Sequence, residues 1–302
     1  MEQHDQPSAQ DVVHLLSLDV EECFQVEAAA DAVSPEDWGG FPKRLGPCVD
    51  RILDLLAAHR TTATFFVLGW VARHERDVVR RIAEAGHELA SHGTGHRMLG
   101  RLGPEAFRQD LLESRQILED VGGQAVVGYR APTFSITHET AWALDVLAEA
   151  GFLYDSSVFP VRHDRYGVPD APTGVHRGVG PGGGSILEIP PLTWRLAGAN
   201  WPVGGGGYLR LLPVRVVGMA LRSAARAGRA GMLYLHPWEL DPDQPDLPMS
   251  RLSRWRHRVG LRRTEAKLRW LLGRFRFSGV RERLEALTAA AGDTRYVYGR
   301  RP

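Results

Sequence analysis

Four short polar clusters carry the residue types from which a metal-assisted acid–base site can be built. They are Asp19-Val20-Glu21-Glu22, the run from Ser91-His92 to His96, Tyr129-Arg130-Ala131-Pro132, and His236-Pro237-Trp238-Glu239. His92 and His96 lie four apart, and neutral imidazoles at that spacing can face one metal ion. Alone, such a pair is weak, and its bland alternative is two surface or helix-capping histidines. A carboxylate from a second cluster shifts the balance, because two histidines and one carboxylate leave coordination positions open for water. Adjacent carboxylates repel unless cations or hydrogen bonds compensate, so the Asp19–Glu22 run is more than a solvated acidic turn. Strand alternation puts Asp19 and Glu21 on one side and Val20 and Glu22 on the other. This assigns Glu21 as ligand and Asp19 as general base. Arg130 can orient that base and keep it ionised, although by itself it reads as a surface ion pair. His236 ends an apolar strand, where histidine fills poorly, and is the candidate general acid. A satisfied core histidine is the alternative there.

Aromatic and glycine-rich segments surround these clusters. Trp201, Tyr208 and Trp238 offer faces on which sugar rings stack, with core packing as the default reading of any tryptophan. The run Gly204–Gly207 lacks a Gly-Lys-Ser/Thr ending and is no P-loop. It reads as a tight turn lining a groove in preference to an anion cradle. Cys23 and Cys48 are the two cysteines, too few for a disulfide framework or a zinc knuckle, and Cys23 reads as a small buried side chain.

These clusters share one position in their units: each directly follows a strand. Residues 12–18 read as a buried strand, 47–59 as a helix with Val49, Ile52, Leu53 and Leu56 on one face, and 61–68 as a strand. A helix over 71–85, a short strand at 87–90, a helix opened by Pro104, a strand at 125–129 and a helix over 138–150 continue the alternation. Strands at 186–189 and 232–235 flank a helix near 211–226. Strand-then-helix repetition predicts parallel strands covered by helices, and sites in such folds gather at the carboxyl ends of the strands. The stretch 159–185 is rich in Gly and Pro and reads as a long functional or mobile excursion.

Composition narrows the class. The chain has 302 residues, 43% hydrophobic and 24% charged, which excludes disordered, collagen-like and coiled-coil chains. Net charge is +1, so no global field points to nucleic acid. Residues 251–302 nevertheless hold 15 Lys or Arg against 4 Asp or Glu. That reads first as a solvated basic helical face, and otherwise as a surface for an anionic polymer, a membrane or an acidic partner. No apolar run reaches the ~20 residues of a membrane helix. The polar start MEQHDQPSAQD lacks the pattern of a secretory signal, which points to the cytoplasm.

Together the motifs resemble the polysaccharide deacetylases, carbohydrate esterase family 4 with the chitooligosaccharide-deacetylase homology domain. The matching pieces are SLDVEE, GHELASHGTGH, GYRAPTFS, YDSS and LYLHPWEL, in that order over residues 15–240. GGGGYLRLLP, HPWELDP and LRRTEAKLRWLLGRFRF look like the C-terminal extension of deacetylases encoded with exosortase-type (PEP-CTERM) exopolysaccharide loci. The resemblance implies an α/β fold, a distorted (β/α)7 barrel of the glycoside hydrolase/deacetylase type. It implies one deacetylase domain over 1–302, with a core of about 12–240 and a basic helical extension of about 241–302 packed on the barrel. It further implies a divalent metal, zinc first with cobalt, manganese or iron as alternatives, and an N-acetylated glycan as substrate. An association with polysaccharide-synthesis machinery also follows from it.

Carried over by position, Asp19 matches the family's base, His92 and His96 its metal histidines, Arg130 its base-orienting arginine and His236 its acid. Two departures stand out. The family's first motif has two adjacent aspartates, whereas Asp-x-Glu-Glu here leaves Glu22 as an alternative ligand to Glu21. The aspartate that tunes the acid is not evident, and Asp155 or a residue near Trp194 is expected to fill that role. Pro132 and Thr133 fall at the sugar subsite, with Thr133 where many members carry an aromatic residue. A cyclic-amide or ureide hydrolase on the same barrel is the alternative activity.

Overall fold

A computed structural model describes residues 12–163 and 165–299. The N-terminal segment on which the localisation expectation rests lies outside the described residues. Seven parallel strands form the core: β1 (Val13–Val20), β2 (Thr64–Val67), β3 (Glu88–Ser91), β4 (Gly128–Tyr129), β5 (Tyr154–Asp155), β6 (Ser185–Glu188) and β7 (Met232–Leu235). From β1 to β6 each pairs with the next, and β1 pairs with β7 in the register Leu18↔Leu235. The ring closes just past β6. Pro191 bridges in parallel to Met232, and Leu192 N–H donates to Met232 O at 2.9 Å. The result is the expected distorted (β/α)7 barrel, closed by a single bridge.

Among the described residues ten helices surround it: α1 (Leu45–Ala58), α2 (Gly69–His74), α3 (Arg76–Glu84), α4 (Pro104–Gly122), α5 (Trp142–Glu149), α6 (Gly206–Leu211), α7 (Val214–Arg226), α8 (Arg251–Arg258), α9 (Leu261–Leu272) and α10 (Leu284–Ala291). Two predicted helices are each divided. The span 71–85 breaks at Glu75, and that near 211–226 breaks before Pro213, which cannot donate within a helix. The excursion 159–185 contains the strand His176–Val179, antiparallel to β6. The C-terminal extension is also more than helical: Arg276–Ser278 pairs with β1, and Arg295–Val297 pairs with His176–Val179.

Period-two alternation along β1 divides two layers. Leu16, Leu18 and Val20 face the helices, while Leu15 joins Phe66, Ala90, Tyr154, Leu187 and Met232 inside the barrel. Ser17 and Asp19 continue that inward face, so the interior turns from apolar to polar toward the strand ends.

Candidate active site

β1 delivers the carboxylates. Asp19 and Glu21 are 2% and 1% exposed, and Val20 between them points outward into the helical layer. Arg130, directly after β4, is wholly buried and donates from Nη1 to Asp19 Oδ1 at 2.6 Å and to Ser17 Oγ at 2.9 Å. Its Nε donates to Ser156 O at 3.1 Å and its Nη2 to Ser156 Oγ at 2.9 Å, and it lies 4.1 Å over the Phe66 ring. So many fixed contacts hold the guanidinium, and with it Asp19, in one geometry.

Glu22 turns the other way. Its Oε1 accepts the backbone N–H groups of Arg44 and Leu45, at 2.7 and 3.0 Å, at the start of α1. It serves a helix N-terminus and is directed away from the two histidines. Between the two carboxylates left open by the sequence, the fold puts Glu21 with them.

The histidine segment is a loop. Gly93 has φ +75°, and a Cβ there would stand 2.8 Å from Asp110 Oδ2. Asp110 on α4 accepts Thr94 N–H at 2.9 Å and, through its carbonyl, Thr94 Oγ1 at 2.9 Å. His96 has φ +50°, a region costing an L-residue about 1–2 kcal/mol. The bend brings both rings to Glu21, with one ligand atom from each of Glu21, His92 and His96 within 4.8 Å of the others.

These atoms suit a divalent cation. His92 Nδ1 lies 2.8 Å from Arg130 O and donates to it, leaving Nε2 as a bare acceptor. His96 Nε2 stands 2.8 Å from Glu21 Oε2, yet that buried oxygen has no partner of hydrogen-bond geometry. Buried lone pairs that converge with no proton aligned between them fit a metal. Burial pushes the Glu21 carboxyl up, but His96, His236 and His92 outweigh it and hold the group at about 2. Burial lowers His92 to about 4, so its ring is neutral, as a ligand must be.

His236 faces this group from the end of β7. Its Nε2 lies 3.6 Å from Glu21 Oε1 and 3.9 Å from Asp19 Oδ2. Its Nδ1 lies 2.7 Å from Glu239 Oε1, and Glu239 Oε2 is 2.7 Å from Arg210 Nε. Arg210 Nη1 donates to the carbonyls of Arg256, His257 and Val259, which tie this chain of charges to the end of α8. Burial favours neutral His236, but the Glu239 contact and the Glu21 charge outweigh it and raise the ring to about 9.

Two expectations are corrected. The carboxylate on His236 is Glu239, three residues on, rather than Asp155 or a residue near Trp194. Asp155 ends β5 and accepts Ser157 Oγ at 2.5 Å, while Ser157 Oγ accepts Ala131 N–H at 2.7 Å. It braces the loop that carries Arg130. Sequence reasoning missed Glu239 and Arg210, and for Glu239 the signal lay in the HPWE cluster itself. Trp201 is also displaced from its expected place. It stands 57% exposed on the hairpin Thr193–Leu196/Ala199–Pro202 and does not line the cavity around the site.

That cavity measures about 300 Å³. Thr133, Tyr208 and Trp238 line it, and Pro132 is buried beside them. Trp238 stacks between His236 and His257, with ring centroids 5.1 and 4.4 Å away. Thr133 and Phe134 have φ of +58° and +50°, backbone strain of the kind that gathers at functional sites. The run Gly204–Gly207 is the close turn expected. Gly204 O accepts Tyr234 N–H at 2.8 Å, and a Cβ on Gly205 would lie 1.8 Å from Tyr234 O. Cys23 and Cys48 are buried and unpaired by disulfide.

Residues 42–154 match the family model for polysaccharide deacetylase, and residues 156–285 match a domain of unknown function (DUF3473). The chain is 36% identical over 103 residues to a chitooligosaccharide deacetylase of Rhizobium leguminosarum, covering 34% of this chain and 45% of the relative. It is 32% identical over 96 residues to a peptidoglycan-N-acetylglucosamine deacetylase of Bacillus cereus, covering 32% and 35%. The chain thus spans less than half the length of these curated relatives. Among solved structures, a Mycobacterium smegmatis protein assigned as a polysaccharide deacetylase superposes with a TM-score of 0.64 at 23% identity over 97% of this chain and 96% of that one. The Puue allantoinase superposes with a TM-score of 0.58 at 18% identity over 95% and 93%. Both likenesses concern the fold. The two matched segments follow one another along the chain. Asp19, Glu21 and His236 all lie outside the matched deacetylase segment, and the barrel brings them to it.

Proposed function

We propose that this protein is a metal-dependent hydrolase that removes N-acetyl groups from an N-acetylated polysaccharide, in the biosynthesis of an exopolysaccharide. The carrying observation is the convergence of Glu21, His92 and His96 beside an Asp19 locked to Arg130, with His236 opposite. Zinc is the first candidate for the ion, and the named activities of the relatives support an N-acetyl sugar as substrate. Among the described residues no helix is long and apolar enough to cross a membrane. The subgroup motifs GGGGYLRLLP and HPWELDP support the exopolysaccharide assignment and a working contact with synthesis machinery.

Each residue then has a task. Glu21, His92 and His96 would hold the ion, which supplies Lewis acidity toward the acetamide carbonyl and a template for the reactants. Asp19 takes the proton of the attacking water, and Arg130 keeps it ionised and aimed. A backbone N–H near Thr133 meets the oxyanion. His236 gives its proton to the departing amine, held in place by Glu239. Products are acetate and a free amino sugar.

The test is acetate release from N-acetylated oligosaccharides by metal-stripped protein, with and without zinc or cobalt, beside His92→Ala. Release that requires metal and disappears in the variant supports the reading. No release from any glycan, with ureides hydrolysed instead, would replace it with the cyclic-amide hydrolase.

A further inference from the structure

The cavity is lined by more positive charge than this chemistry uses. Its carboxylates are committed: Asp19 to Arg130 at 2.6 Å, Glu21 to the proposed metal site with His92 and His96, and Glu27 to Arg101 at 2.8 Å. Arg210 is committed to Glu239 at 2.7 Å. Arg165 and Arg256 differ. Both line the cavity, both are exposed, and neither makes an ion pair to a carboxylate among the described residues. They reach it from separate elements, Arg165 from the loop after β5 and Arg256 from α8.

We propose that Arg165 and Arg256 form a subsite for carboxylate groups of the glycan, so that the substrate is an acidic N-acetylated polysaccharide. This rests on the deacetylase reading of the same site. A guanidinium offers donors only, in a planar fork matched to a carboxylate, whereas a neutral sugar offers hydroxyls that any polar side chain can meet. Two uncompensated cations beside a metal-binding centre repel it and one another. A polyanionic chain relieves that repulsion along its length and is drawn in by the field of the rim.

The experiment compares oligosaccharides that alternate N-acetylglucosamine with glucuronate against the same oligosaccharides after carboxyl reduction. With the metal-loaded full chain at low ionic strength, kcat/KM for acetate release is expected to be about tenfold higher on the acidic form and to converge as salt rises. Arg165→Gln and Arg256→Gln each lower that ratio about threefold, through KM rather than kcat. Arg226→Gln, exposed on α7 away from the cavity, leaves the ratio unchanged. A ratio near one, or one that survives both cavity variants, overturns the proposal. Should neither form release acetate, equilibrium binding decides. Tighter binding of the acidic form, lost in the variants, keeps the subsite while the deacetylase reading falls, and equal binding overturns the subsite. Variants that lose binding to phosphatidylglycerol vesicles yet keep the acidic preference overturn it in favour of a membrane face.

Discussion

Glu239 stands between His236 and Arg210, 2.7 Å from each. All three are largely buried, and the arginine is held by backbone carbonyls at the end of α8. The second half of the chain therefore orients the proposed acid as well as covering the barrel. Replacing Glu239 with Gln keeps the shape and removes the charge. His236 is raised to about 9 against the pull of burial, chiefly by its contact with Glu239, so the protonated form persists above neutral pH. In Glu239→Gln that support goes, the ring loses its proton at lower pH, and the alkaline limb of the kcat/KM profile moves down. A fall of about 10–100-fold in kcat at neutral pH accompanies it. A pH profile of acetate release checks both.

Metal retention separates the two adjacent glutamates. Glu21→Gln, His92→Ala and His96→Ala are each expected to lower bound zinc by at least about tenfold after dialysis. Glu22→Gln keeps the metal and instead lowers stability by about 1 kcal/mol, since it weakens the contacts at the start of α1. Metal analysis with thermal unfolding of the four variants distinguishes these outcomes, and loss of metal in Glu22→Gln with retention in Glu21→Gln would reverse the assignment.

The proposed base can be separated from its support. Asp19→Asn is expected to keep its metal and lose about 10²–10⁴-fold in rate. Arg130→Met leaves buried Asp19 without its guanidinium partner and costs about 3–5 kcal/mol of stability, so it lowers the yield of folded protein before any rate is read. Near-full activity in metal-loaded Asp19→Asn would remove Asp19 from the mechanism.

Part of the acid sensitivity should arise away from the site. His14 and His87 are each lowered to about 4 by burial. Both are neutral when folded, and the unfolded chain takes up protons below about 6.5. Stability is therefore full above that value and falls as pH drops from about 6.5 toward 4. His87 rests against Phe65, ring centroids 5.1 Å apart, so His87→Leu keeps an apolar contact and does not titrate. Urea unfolding at pH 7 and pH 4.5 is expected to show a smaller loss in the variant, by at most about 3 kcal/mol.

Much of the site was legible from position along the chain. The strand MLYL at 232–235 was placed to the residue, and the clusters after β1, β3, β4 and β7 meet at one end of the barrel as parallel strands require. Alternation along β1 selected Asp19 and Glu21 for the interior because side-chain direction in a strand is fixed by period. The partner of His236 was not legible, because a carboxylate three residues on looks in sequence like any polar turn residue. Trp201 was misplaced for the converse reason: nearness in sequence to the glycine run says nothing about which way a hairpin leaves the barrel.

The sequence alone determined the alternating parallel architecture, the strand-end location of the chemistry and the identity of its base, acid and metal candidates, because these follow from local period and residue type. Tertiary structure decided the rest. It chose Glu21 over Glu22, since the start of α1 claims the second. It bent the histidine loop through Gly93 and His96, and it closed the barrel at Pro191 and Met232. It also joined His236 through Glu239 and Arg210 to carbonyls at the end of α8. Those contacts link residues far apart in the chain, and only burial in a common interior, where unpaired charge is costly, brings them together.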